Sequence, residues 1–228
     1  MTHIEANGIT MHVQVLEPPG VAARTAVLVH GLGHDSMASW YLTLAHPLCA
    51  QGVRVVLYDL RGHGMSEAPR SGYRLADFIG DLEALLAHLD VDGPILLLGN
   101  SFGAMVCFGY TAVHPARVAG MVAIEGGPPT AGWIGGVLAA MRANEHELPG
   151  FASSEPVSVA SITCPVLCVY GGASPVAAYA HTVRRWIPQA ELAVVPDATH
   201  TVLIDQPDGV RALIASFLTT LEAPQCDA

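Results

Sequence analysis

The 228-residue chain contains no lysine. Its ten arginines stand against twenty Asp and Glu, for a formal net charge of −10 at pH 7. A surface this acidic repels phosphate backbones and anionic lipid headgroups, so neither nucleic acid nor a membrane is expected as a partner. Charged residues make up only 13% of the chain and aromatic residues 6%. Long unbroken hydrophobic runs are missing as well. The most apolar stretches are interrupted by Glu125, Pro128, Pro165 or paired glycines, and none is long enough to read as a transmembrane helix. The first residues, Met1-Thr2-His3-Ile4-Glu5, lack a basic n-region and an apolar h-region, so no targeting segment is expected. Cysteine is sparse and unpatterned. Cys49, Cys107, Cys164, Cys168 and Cys226 are an odd number at no zinc-like spacing. They read as small apolar residues of a reduced, cytoplasmic protein. Nothing in the sequence calls for a metal or an organic cofactor, and no internal repeat or low-complexity tract is present.

What the chain has is apolar content, 51% of its residues, enough for the core of one α/β domain over residues 1–228. Ile9 to Val15 alternates polar and apolar residues, the pattern of a half-exposed antiparallel strand. Continuous apolar runs follow at 25–30, 53–58, 95–98, 118–124, 164–170 and 192–195, as expected for parallel strands covered on both faces. Between them, 37–49, 75–89, 101–113, 176–186 and 208–221 space their apolar residues at three and four. Strand–helix alternation of this kind predicts a doubly wound, mostly parallel sheet whose ligand site lies at the carboxyl ends of the strands. His30, Asp59, Ser101, Glu125, Gly171 and His200 all fall at or just after such ends. One segment breaks the alternation. Residues 127–162 are rich in Gly and Pro, carry a possible helix at 134–144, and read as a short insertion over the sheet.

Gly99-Asn100-Ser101-Phe102-Gly103 joins an apolar strand to an apolar helix. A serine between two glycines at such a junction is the arrangement of a nucleophile elbow. The turn is tight and strained and leaves no room for bulky neighbours. The helix beyond it aims backbone N–H groups and the positive end of its dipole at the serine.

Together with His30-Gly31-Leu32-Gly33, Asp59-Leu60-Arg61-Gly62-His63-Gly64-Met65-Ser66 and Asp197-Ala198-Thr199-His200, that motif makes the chain resemble the α/β-hydrolase superfamily from end to end. The resemblance implies an eight-stranded sheet, a lid built from the segment after strand six (here a reduced one), and a nucleophile–histidine–acid triad. Carried over position by position, Ser101 is the nucleophile and His200 the base that takes its proton. The backbone N–H groups of Leu32 and Phe102 form the oxyanion hole. His30 and His63 are structural, and Asp59 and Arg61 brace a turn. His34, Trp40 and Tyr41 after the oxyanion loop are candidates for the pocket wall or the core, as are Trp133 and Met141 of the lid for substrate contact.

The acid departs from the family pattern. Where an aspartate is usual after strand seven, the chain reads Tyr170-Gly171-Gly172-Ala173-Ser174-Pro175, with Ser174 at the expected place. Glu125, at the tip of strand six, is the other well-placed carboxylate, and some branches of the family draw their acid from that strand end. Two arrangements stay open from sequence: a Ser101–His200–Glu125 triad, or a Ser101–His200 dyad with Ser174 or water orienting the imidazole. Two classes of function stay open with them. One is a serine hydrolase acting on a small-molecule or carrier-bound ester, thioester or lactone. The other is a relative that does not hydrolyse, either a lyase or elimination catalyst or a ligand-binding receptor.

Overall fold

The computed structural model describes residues 2–145 and 147–221; Cys226 lies outside them. Eight strands form one sheet: β1 (Thr2–Ala6), β2 (Ile9–Leu16), β3 (Arg24–Val29), β4 (Val53–Tyr58), β5 (Ile95–Asn100), β6 (Val118–Ile124), β7 (Val166–Gly171) and β8 (Glu191–Val195), in the order β1-β2-β4-β3-β5-β6-β7-β8. β2 pairs antiparallel with β1 and with β4. From β4 to β8 every pairing is parallel. The expected sheet is therefore present, with an antiparallel edge. Helices α1 (Ala38–Trp40), α2 (His46–Ala50), α3 (Leu75–His88), α4 (Phe102–Val113), α5 (Ala131–Ala143), α6 (Ala180–Val183), α7 (Val202–Asp205) and α8 (Pro207–Thr220) connect or flank the strands.

Alternation along the strands divides the core into two layers. Val27 and Val29 of β3, Leu97 of β5 and Met121 and Ala123 of β6 pack with α3 and α4. Ala26 and Leu28, Leu96 and Leu98, and Val122 and Ile124 face the other way, toward Trp40, Leu48 and the Val210–Ile214–Phe217 stripe of α8. Helix α4 is buried from Phe102 through Thr111, because it lies between the sheet and α3. Its all-round apolar composition follows from that position.

Four stretches differ from the expectation. β1 carries little apolar signal, with only Ile4 and Ala6 buried in five residues, and the sequence gives no strand there. β2 is more buried than half-exposed, with Met11, His12 and Val13 all inside. The stretch 176–186 resolves into a 3-10 turn at Pro175–Tyr179 and the four-residue α6 rather than one helix. Likewise 37–49 is not a plain α-helix, since a π-helical turn at Tyr41–Ala45 separates α1 from α2.

Candidate active site

The site is built from the ends of β3, β5, β6 and β7 and from the loop after β8. At the end of β5 the chain turns directly into α4. Ser101, the hinge of that turn, has φ 54° and ψ −115°, a region that costs a non-glycine residue roughly 1–3 kcal/mol. Ser101 N–H donates to the Ile124 carbonyl at 2.7 Å, and the Ser101 carbonyl accepts from Ala104 N–H at 3.1 Å. The two flanking glycines are required by close approach. A Cβ on Gly99 would lie 2.5 Å from backbone atoms of Gly103 and Ala104, and one on Gly103 would lie 2.2 Å from the Val29 carbonyl oxygen.

Glu125 is the residue after β6, and it too has a left-handed backbone, φ 55°. Its N–H donates to the Val169 carbonyl of β7 at 2.9 Å, and its side chain is fully buried. The carboxylate receives three donors. Gly171 N–H reaches Oε1 at 2.5 Å and Ser174 Oγ–H reaches Oε2 at 2.5 Å. His200 Nδ1 lies 2.7 Å from the same Oε2. On the far side of the ring, Nε2 lies 3.1 Å from Ser101 Oγ. With Nδ1–H donated to the carboxylate, Nε2 is left to accept the serine proton. The structure thus joins Ser101, His200 and Glu125 in one chain, although they stand up to 99 residues apart in sequence. The histidine's ring turns to the Glu125 carboxylate, and Ser174 donates to that same carboxylate oxygen rather than to the ring.

The loop carrying His200 is tied down by a small polar clamp. Thr199 donates both its N–H and its hydroxyl to Asp205 Oδ2, at 2.8 and 2.6 Å, and Thr201 donates to Oδ1 at 3.1 Å. The Thr199 hydroxyl, followed by its N–H, holds the Asp205 carboxyl below its usual range. Across the site the Gly31–Leu32 turn packs against the elbow, so that a Cβ on Gly31 would sit 3.3 Å from Ser101 Cβ. Gly31 N–H is taken by Asp35 Oδ2 at 2.7 Å. The N–H groups of Leu32, on this turn, and of Phe102, at the start of α4, make no side-chain or loop hydrogen bond among the described residues.

Behind that turn His30 is completely buried. Its Nδ1–H donates to the Gly31 carbonyl at 2.7 Å, and its Nε2 accepts Leu60 N–H at 2.9 Å. Burial pushes its pKa down to about 4, consistent with a neutral ring that must keep one nitrogen as an acceptor. Asp59 joins the same network. Burial alone would raise its pKa, but the N–H groups of Met65 and Met37 and the His12 ring outweigh that and hold the carboxyl below its usual range. Arg61 pairs bidentately with buried Asp81. These groups brace the turns and do not reach Ser101. Trp40 is core, wholly buried on the opposite face of the sheet.

The 127–162 segment supplies apolar surface. Trp133 lies over Gly127, where an added Cβ would meet its ring at 2.3 Å, and its ring centroid is 6.4 Å from that of Tyr179. Phe151 is wholly buried and stacks edge-on against Phe102, with centroids 5.5 Å apart. Met141 is also buried. The sequence set Gly171 at a strand end without giving it a role, and it did not point to Asp35 or to the clamp that Thr201 and Asp205 make with Thr199. Their backbone donors and short polar side chains carry no motif of their own.

The profile of the alpha/beta hydrolase fold family matches residues 26–154. The chain belongs to this family. Relatives include epoxide hydrolase 2 of Siraitia grosvenorii, 36% identical over 53% of this chain, and epoxide hydrolase B of Mycobacterium tuberculosis, 31% identical over 54%. The matched stretches cover 37% and 34% of those relatives' own lengths. Among solved structures, an N-acyl homoserine lactone degrading enzyme is similar over 95% of this chain and 100% of its own, at 26% identity and a TM-score of 0.75. The enol-lactonase of Burkholderia xenovorans LB400 shares the fold over 96% of this chain and 100% of its own, at 22% identity and a TM-score of 0.76. Among the described residues no helix is long and apolar enough to cross a membrane, and no cluster of His, Cys, Asp and Glu could hold a metal ion.

Proposed function

We propose that the protein is a serine hydrolase that cleaves an ester, thioester or lactone through an acyl-enzyme on Ser101. The observation that carries this reading is the continuous chain Ser101 Oγ–His200–Glu125, at 3.1 and 2.7 Å. In the reaction Ser101 Oγ attacks the substrate carbonyl carbon while His200 Nε2 takes its proton. The carbonyl π bond opens, and the oxygen carries the charge toward the N–H groups of Leu32 and Phe102, each worth roughly 3 kcal/mol to the transition state. Glu125 holds the imidazole in one tautomer and stabilises its positive charge. As the carbonyl re-forms, the leaving alkoxide or thiolate departs with the proton from His200. Water, activated by the same nitrogen, then releases the acid and restores Ser101.

Epoxide hydrolysis, suggested by two of the relatives, fits this site less well. Attack of a serine hydroxyl on an epoxide would leave an ether, which an imidazole and water do not cleave. A carbonyl substrate instead gives an ester that they do. A non-hydrolytic role, as lyase, elimination catalyst or receptor, would leave Ser101 unacylated. The substrate is a small molecule or a carrier-bound acyl group. A cytoplasmic setting belongs to the same reading and is supported by the free thiols Cys49, Cys107, Cys164 and Cys168. Turnover of a panel of activated esters by the wild type and by Ser101→Ala tests the proposal. The variant should lose about 10⁴-fold or more while its circular dichroism is unchanged. Residual activity within tenfold of wild type would overturn it.

A further inference from the structure

We propose that Ser174 is a positioning residue of this site, with a hydroxyl that fixes the Glu125 carboxylate in the orientation that presents Oε2 to His200. This inference rests on the serine-hydrolase reading. The decisive point is that one oxygen serves both partners: Ser174 Oγ–H and His200 Nδ1 meet at Glu125 Oε2, at 2.5 and 2.7 Å. The other oxygen, Oε1, is held by Gly171 N–H at 2.5 Å. A carboxylate anchored at Oε1 alone can still rotate about that bond. The Ser174 hydroxyl is the second, non-histidine anchor, and it removes that freedom.

The base depends on this anchor because little else holds its ring. The His200 side chain is 45% exposed, whereas that of Glu125 is fully buried. Among the described residues, the ring's hydrogen bonds are those to Glu125 and Ser101. Orientation therefore passes from Ser174 to Glu125 to His200, from the buried end outward. The backbone supports the same direction of control. Ser174 is itself 5% exposed, and its Oγ accepts Val176 N–H at 3.2 Å, capping the 3-10 turn Pro175–Tyr179. The hydroxyl uses its lone pair on the turn and its proton on the carboxylate. Placed where the family pattern has an acid, Ser174 serves the acid on the neighbouring strand instead.

A merely structural role would lower the amount of folded enzyme or weaken substrate binding. A positioning role lowers the rate per active site and leaves KM in place. The test compares wild type with Ser174→Ala, Ser174→Thr and Ser174→Val. It reads kcat and KM on an activated ester per site titrated, and the rate at which a fluorophosphonate labels Ser101. Thr and Val have nearly the same shape and differ in the hydroxyl. Ser174→Ala and Ser174→Val should lose roughly 10- to 100-fold in both kcat and labelling rate, the effect of one hydrogen bond to a charged acceptor, with KM within about twofold. Ser174→Thr should recover most of the loss relative to Ser174→Val. Labelling of Ser174→Ala as fast as wild type, or equal rates for the Thr and Val variants, would overturn the role of Ser174 and leave the hydrolase reading intact. A wild type whose Ser101 is not labelled would overturn both.

Discussion

In the proposed reaction, Glu125 is the residue on which the chemistry of the site turns. It is wholly buried, has a left-handed backbone, and still accepts three hydrogen bonds, from Gly171, Ser174 and His200. Glu125→Gln keeps the volume but loses the charge that stabilises the imidazolium. We expect kcat to fall by about 10²- to 10⁴-fold, with a much smaller change in KM; steady-state kinetics on an activated ester would contradict this if kcat stayed within threefold. A second residue prediction concerns His30, with its pKa depressed to about 4 by burial. In the unfolded chain the ring protonates near pH 6.5, so between these values the unfolded state binds the extra proton. Stability is fully present above about pH 6.5 and is lost as pH falls toward 4, by up to about 3 kcal/mol. NMR titration of the imidazole should find it still neutral at pH 5; a midpoint near 6.5 would contradict the assignment. That Ser101 and His200 would meet was legible from sequence, because a motif and a strand end mark them. Glu125 was legible only as one of two alternatives. The choice between them depends on which way an imidazole turns, and that is set by Oε2 and by Gly171 N–H, neither of which leaves a trace in residue types.

The strands and helices show how far periodicity reaches. β3 to β7 were legible as apolar runs because both faces of each are covered, whereas β8 was legible as an apolar run although it is a half-exposed edge strand; α3 and α8 were legible from their long apolar stripes and α4 from its all-round apolar composition. β1 was not. An edge strand of five residues with two buried side chains has too little apolar content to stand out from a loop. The 176–186 stretch spaces its apolar residues like a helix, yet Pro175 and the Ser174 cap impose a tighter 3-10 turn. The internal packing of the 127–162 segment was not legible. Phe151 fills the space beside Phe102, which in turn stacks on Phe78 with centroids 4.9 Å apart. Phe151→Ala should therefore cost about 3–5 kcal/mol, measured as a drop in the urea unfolding free energy. A loss below 1 kcal/mol would mean that the segment is not part of the core.

At the scale of the whole molecule, a parallel sheet gathers distant residues at one edge. The carboxyl ends of β5 and β6 and the loop after β8 bring Ser101, Glu125 and His200 together, although His200 lies 75 and 99 residues from the other two. That convergence was predictable from strand–helix alternation, since ligand sites of such sheets lie at the carboxyl ends. Substrate choice was not, because the same scaffold serves many chemistries. The central claim is that Ser101 carries the acyl group, and it is tested most directly by catching that species. The enzyme is mixed with a slowly deacylating activated ester, quenched in acid within the first turnover and digested, and its peptides are mapped by mass spectrometry. The account predicts one added acyl mass, located on Ser101 and missing from Ser101→Ala. Turnover of the ester with no adduct on Ser101, or with the adduct on another residue, would contradict it.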